Sequence, residues 1–196
     1  MAINYPSRNV RHMTAHTLSF VRPVVEPGFS VLDIGCGGGW VLAELATTHE
    51  VLGLDVVDVR EAPVPRFELY DGVHLPCADG SYDVSLLAFV LHHVPNDKKD
   101  ALVREACRVT RRRIIVLEDT PRTPIDWVAG YLHGRHVARG VGKGASFGFL
   151  TQRGWEEFFT RHGLRVASSV AIPRLERHWW RPWARSCLVL EKPVVG

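Results

Sequence analysis

The chain has 196 residues, 46% of them apolar and 23% charged, and a formal net charge of +3. That length suits one domain around one sizeable core, and the mixture is that of a soluble globular protein. No apolar run is long enough to cross a bilayer as a helix, and the charge is too mild to imply a nucleic-acid partner by itself.

In chain order, Val10, Met13, Thr17 and Val21 recur at helical spacing and predict a leading helix over Arg8–Val21, stopped by Pro23 and Pro27-Gly28 and placed to fold over a ligand mouth. Ser30 to Ile34 reads as a buried strand, followed by Gly35-Cys36-Gly37-Gly38-Gly39-Trp40 and a helix over Val41–Thr48. A glycine-rich turn admits close approach of a ligand to the backbone, and the helix N-terminus behind it suits an anionic ligand group. The dinucleotide fingerprint needs a small residue where Trp40 stands, which counts against NAD or FAD. No Gly-Lys-Ser/Thr follows, which excludes a P-loop.

A second strand, Val51 to Asp55, ends in a carboxylate. Pro63 and Pro65 argue against a full helix over Val56–Pro65, since proline costs about 3 kcal/mol inside a helix. Phe67–Tyr70 and Tyr82–Phe89 read as strands three and four, and Asn96–Thr110 as a helix capped by Asn96 or Asp97. Arg113–Leu117 reads as strand five, with Arg111-Arg112-Arg113 as a solvated turn before it. The irregular stretch from Asp119 to Leu150, rich in Gly, Pro and His, is expected to be a substrate cap, helical around Ile125–Val137. Thr151 caps a helix to His162 with Trp155, Phe158 and Phe159 inward and Gly163 beyond its end. Leu164–Ile172 and Arg185–Leu190 read as the last strands. Between them, the run from His178 to Arg185 reads as a hairpin packing its tryptophans on the cap; stacking on bases or lying at a membrane surface are its alternatives. Strand–helix alternation implies a doubly wound, mostly parallel α/β sheet with right-handed crossovers.

Five ordered blocks from about Phe29 to Glu118 resemble the class I S-adenosylmethionine-dependent methyltransferases, in particular their small-molecule (type 11-like) group. They are Asp33-Ile34-Gly35-Cys36-Gly37-Gly38-Gly39; the second strand ending at Asp55; Tyr70-Asp71-Gly72-Val73-His74-Leu75-Pro76 with Asp79-Gly80-Ser81-Tyr82-Asp83-Val84; Leu91-His92-His93-Val94; and Glu105-Ala106-Cys107-Arg108-Val109. The resemblance implies a Rossmann-like seven-stranded sheet with an antiparallel last strand, a shortened second helix and a cap inserted after strand five. It divides one domain into a leading helix (1–28), a cofactor-binding half (29–118), the cap (119–150) and a C-terminal helix with strands (151–196).

The implied cofactor is S-adenosyl-L-methionine, with S-adenosyl-L-homocysteine as product. Gly35, Cys36, Gly37, Gly39 and Ala88 would lie against it, Asp33 would orient its amino group, Asp55 would accept its ribose hydroxyls, and Asp71 with Gly72 would hold the adenine edge. His92 and His93 fall where such sheets place ligands, one of them a candidate base and the other a packing histidine. Glu118 and Asp119 end strand five beside the same crevice and are expected to touch the acceptor. His133 and His136 lie in the cap as acceptor contacts; nothing supplies further ligands, so no metal is expected. The cysteines Cys36, Cys77, Cys107 and Cys187 lack zinc or Cys-x-x-Cys spacing, and Met1–Arg22 lacks an apolar signal core, so the chain is expected in the cytoplasm, away from membranes. The expected activity is methyl transfer to a small molecule. The alternatives are an RNA or protein methyltransferase using the basic, Trp-rich end, and a non-catalytic protein that binds the cofactor. The sequence leaves the acceptor, the methylated atom and the oligomeric state open.

Overall fold

Short Val/Leu/Ile runs that are buried on both faces build the centre of the sheet, as parallel strands sandwiched between helices require. A computed structural model describes residues 3–130, 132, 148–172 and 184–192. The order is α1 (Arg8–Val21), β1 (Val31–Ile34), α2 (Trp40–Leu45), β2 (Val51–Asp55), β3 (Phe67–Leu69), β4 (Tyr82–Ala88), a 3₁₀ turn (Leu91–His93), α3 (Asn96–Val109), β5 (Thr110–Asp119), α4 (Gln152–Arg161), β6 (Arg165–Ile172) and β7 (Arg185–Glu191). The seven strands lie in the order β3-β2-β1-β4-β5-β7-β6. The first five run parallel, and β7 pairs antiparallel with both β5 and β6.

One core joins the sheet to α3 and α4 through Leu102, Val103, Ala106, Trp155, Phe158 and Phe159; the other joins it to α1 and α2 through Leu18, Val21, Leu42 and Leu45. Strand order reverses between β1 and β4, which opens a crevice outside their carboxyl ends. No described helix is long and apolar enough to cross a membrane.

The leading helix has the expected bounds, with Ser7 Oγ accepting the Val10 N–H (3.2 Å). No helix forms over 56–65, in line with its prolines. Two expectations are corrected. The residue before α3 is Pro95, whose carbonyl receives the Lys98 and Lys99 N–H groups; neither Asn96 nor Asp97 caps the helix, and the side-chain Oδ1 of Asn96 accepts from the Lys99 ammonium instead. The three arginines are not a turn: α3 runs into β5 without a glycine, and Arg111, Arg112 and Arg113 are strand residues. Long-range partners hold them there, Asp83 for Arg111 and Arg112, Glu26 and Glu191 for Arg113. The Glu105–Arg108 pair is a brace: Glu105 accepts the Leu75 N–H, and Arg108 donates to the Leu75 and Cys77 carbonyls and to Asp79, fixing the loop before β4.

The cap is helical over 124–130. His133 and His136 lie outside the described residues, as does the run from His178 up to Pro182-Trp183.

Candidate active site

A cavity of about 360 Å³ opens at the switch point, between the glycine turn (Asp33, Gly35, Cys36, Gly38, Gly39, Trp40), Ala88-Phe89 and the face of α1 carrying Asn9, Met13, Thr14 and Thr17. The turn is kept short by β-strand bonds that run past its end: the Gly35 and Cys36 N–H groups both donate to the Leu54 carbonyl. Gly37 has φ +52° with nothing within 4 Å of where a side chain would begin, so its backbone faces open space. Gly39 has φ +77°, and a Cβ there would sit 2.4 Å from Val64 Cγ2. These two glycines therefore serve different ends, the first leaving room for a ligand and the second letting α2 pack against the 62–64 segment.

Asp33 is 3% exposed, and its Oδ1 has no hydrogen-bond partner among the described residues. Burial, with the Asp55 charge adding to it, pushes this carboxyl up to about 7. An orphaned buried carboxyl aimed at a cavity is what a ligand cation would satisfy. Across from it, Asp55 accepts the Gly37 N–H through Oδ2 (2.8 Å) and the Val56 N–H through Oδ1 (2.7 Å). Each oxygen keeps a lone pair for a ligand hydroxyl. Asp71 is placed differently: one carboxylate oxygen accepts the Val73 and His74 N–H groups, and the other meets His74 Nδ1 at 2.7 Å. Those bonds hold its pKa far below the usual carboxylate range, the His74 hydrogen bond foremost. With Gly72 at φ +88°, this is a self-contained, exposed turn.

At the carboxyl ends of β4 and β5 lies a buried polar pair. His92 Nδ1 and Glu118 Oε2 are 2.5 Å apart, and Glu118 Oε1 accepts the Leu91 N–H at 2.6 Å. Glu118 is fully buried with both oxygens engaged, so it serves His92 and the 3₁₀ turn; the expected direct contact with an acceptor is corrected. Asp119 bonds Arg185 Nε at 2.9 Å, and that guanidinium lies 4.7 Å from the Phe89 ring centroid, so Asp119 too is turned to a neighbour. The imidazole of His92 stacks on the Phe149 ring (5.1 Å) and touches the tilted ring of His93 (4.0 Å). Burial lowers its proton affinity, but the Glu118 charge and hydrogen bond outweigh this and the net shift is upward from 6.5.

Sequence reasoning missed Lys99 and Arg185, whereas the leading helix faces the cavity with Val10, Met13 and Thr17 as its spacing led one to expect. Lys99 was signalled by its spacing, for it falls in register with Leu102, Val103 and Ala106 on the apolar face of α3. Arg185 carried no local signal, since its partner Asp119 is 66 residues away.

A doubly wound sheet with a glycine cradle and two carboxylates at its switch point defines an α/β domain that binds a nucleotide-like cofactor. Residues 32–116 match the family described as Methyltransferase domain, and over this segment the chain is similar to S-adenosylmethionine-dependent methyltransferases. The chain is 36% identical over 104 residues to an O-methyltransferase of Pyrenophora dematioidea, covering 46% of this chain and 38% of that one. It is 31% identical over 131 residues to the ubiquinone biosynthesis O-methyltransferase of Sodalis glossinidius (strain morsitans), covering 60% and 51%. It therefore spans about half or less of the length of the curated relatives it matches. In fold it resembles a putative methyltransferase of Haloferax volcanii solved with the Trm112 activator (TM-score 0.75, 18% identity, 96% of this chain and 92% of that one). It also resembles the magnesium protoporphyrin IX methyltransferase of Synechocystis PCC 6803 with bound S-adenosylhomocysteine (TM-score 0.64, 18% identity, 96% and 89%).

The residues present fit the family's cofactor. Asp33 has a buried carboxyl oxygen without a hydrogen-bond partner among the described residues that would suit an ammonium group, Gly37 leaves the approach open, and Asp55 would have acceptors for a ribose. Asp55→Ala should weaken S-adenosylhomocysteine binding at least tenfold by calorimetry, because charge-assisted hydrogen bonds contribute about 1.5–3 kcal/mol each. Undiminished affinity would remove Asp55 from the cofactor site.

Proposed function

We propose that this protein transfers the methyl group of S-adenosylmethionine to an oxygen atom of a small molecule in the cytoplasm. The observation that carries this reading is the buried His92–Glu118 pair, at the carboxyl ends of β4 and β5, the end of the sheet where Ala88-Phe89 lines the cavity. The relatives named as O-methyltransferases support the oxygen acceptor. When bound, the cofactor supplies a methyl group already activated by its sulfonium charge, so the displacement needs alignment and dryness more than an electrophile.

The chain's own residues are suited to that work. Asp33 and Asp55 would hold the cofactor's ammonium group and ribose, and the face of α1 with Val10, Met13 and Thr17 lines the cavity and would shield it from water. His92 has Nδ1 committed to Glu118, which leaves Nε2 as the ring nitrogen to take the proton of an acceptor hydroxyl as the new O–C bond forms. Glu118 fixes the tautomer and stabilises the imidazolium that results, the division of labour seen in carboxylate–histidine pairs generally. The exposed Trp127, edge-on to Phe149 at 6.4 Å, gives the cap an aromatic surface for an apolar acceptor.

The test is to incubate the protein and methyl-labelled S-adenosylmethionine with a host extract, then separate metabolites, RNA and protein. Label in the metabolite fraction is expected. Label confined to RNA or protein would overturn the small-molecule reading and assign the acceptor to the basic region around Arg174, Arg177 and Arg181, which lies outside the described residues.

A further inference from the structure

Lys99 is the most unusual residue of α3. It is 5% exposed, yet it carries an ammonium group on the helix face that packs into the core. Nζ lies 5.6 Å from the ring centroid of Trp155, itself fully buried. Its two hydrogen-bond partners are both neutral: Asn96 Oδ1 at 2.9 Å and the Gly148 carbonyl at 2.8 Å. A buried ammonium whose hydrogen bonds go to neutral dipoles is costly even with the Glu118 charge favouring it, and methionine or leucine would fill the same volume without that cost. The charge therefore calls for an explanation other than packing.

The geometry around Gly148 supplies one. Its carbonyl is held by Lys99, while its N–H donates to the His92 carbonyl at 3.0 Å. The next residue, Phe149, lays its ring on the His92 imidazole at 5.1 Å with the planes 21° apart. Gly148 must be glycine for this, because a Cβ would lie 2.1 Å from Lys99 Nζ and 2.6 Å from Asn96 Oδ1. So Lys99 reaches His92 through two residues, gripping one and thereby seating the other.

We infer that Lys99 is a positioning residue for the reaction: it clamps Gly148-Phe149 onto His92 and fixes the orientation and charge balance of that imidazole. The inference rests on the reading of His92 as the base. The charged and titratable groups facing His92 are Glu118 and Asp119 from β5, with Asp119 tied to Arg185 of β7, His93 beside it on the 3₁₀ turn, and Lys99 from α3. Among the described residues, Lys99 opposes the two carboxylates from α3, as Arg185 does at Asp119 from β7. The Lys99 charge makes protonation of His92 harder, which keeps a base surrounded by acids available near neutral pH.

The experiment is an NMR titration of the histidine side chains, with the His92 signal assigned by its absence from His92→Gln. Lys99→Met should move the His92 midpoint upward by about half a unit or more, and Lys99→Arg should keep it near the wild-type value. Lys99→Gln, which can still donate to the Gly148 carbonyl, keeps the clamp without the charge; it should share the upward shift but retain the ring-current signature of Phe149 on His92. S-adenosylhomocysteine affinity should be unchanged in all of them, since Lys99 does not line the cofactor cavity. A folded Lys99→Met or Lys99→Gln protein with an unmoved His92 midpoint would overturn the inference. Should Lys99→Met fail to fold, Lys99→Gln decides by the same reading. The titration needs no acceptor, so it succeeds or fails independently of whether His92 is the base, which turnover by His92→Gln decides.

Discussion

Replacing His92 with glutamine should lower methyl transfer to an oxygen acceptor by about 10²–10⁴-fold, the usual contribution of a positioned general base. Glutamine is the informative substitution because its amide can still donate to Glu118. Alanine would leave a fully buried carboxyl without its partner, at a cost of about 1–3 kcal/mol, and would confound chemistry with stability. Affinity for S-adenosylhomocysteine should survive, since the cavity is built from other residues. In the wild type the rate should rise with pH along a limb whose midpoint lies above 6.5, because the net effect of burial, Glu118 and Asp119 is to raise the histidine's proton affinity. The stability linkage has the matching sign: a raised folded-state value contributes stability that is full below 6.5 and is lost as pH rises through the folded value. Steady-state rates from about pH 5.5 to 9 would show the first, and urea unfolding over the same range the second. Undiminished turnover by His92→Gln would move the base to another group.

Gly39→Ala should destabilise the protein by about 2–4 kcal/mol, combining left-handed backbone strain with overpacking of a filled site. The backbone there has φ +77°, and the new methyl would fall 2.4 Å from Cγ2 of Val64, a stiff, buried side chain. Gly37→Ala makes the contrast. It has φ +52° but open space around it, so only the strain of about 1 kcal/mol should appear in urea unfolding. Yet Gly37→Ala should weaken S-adenosylhomocysteine binding sharply, because the open space is where the ligand would lie. Equal loss of stability in the two variants, or full affinity in Gly37→Ala, would contradict this division of roles.

Much of this was legible in the chain because its signals are local. The period of Val10, Met13, Thr17 and Val21 marked α1 to the residue, and Val51–Asp55 marked β2 with its terminal carboxylate in place. The prolines at 63 and 65 announced the missing helix. What escaped depends on contacts distant in sequence. The arginines at 111–113 looked like a polar turn, but a strand with carboxylates from three other segments accommodates them. Glu118 looked like a ligand contact because it ends β5; only the packing of β4 beside β5 shows that His92, 26 residues earlier, takes it. Asp71 is the instructive intermediate case. An Asp-Gly pair followed by His74 already contained a complete turn with its own partners, and the structure satisfies that carboxylate locally.

The most direct test of the cofactor site is calorimetric titration of S-adenosylhomocysteine near pH 7 in two buffers of different ionisation enthalpy. Asp33 is held at about 7 by burial and the nearby Asp55. Without ligand the folded protein keeps it protonated up to about 7 while the unfolded chain ionises it from 3.8, so the ligand-free protein loses stability as pH rises between those values. A ligand ammonium group would stabilise the carboxylate and expel that proton. Release of about half a proton at pH 7, fading by pH 8.5 and absent from Asp33→Asn, is the predicted result. Binding that exchanges no proton, or releases the same fraction from Asp33→Asn, would contradict the placement of the cofactor's amino group on this buried carboxyl.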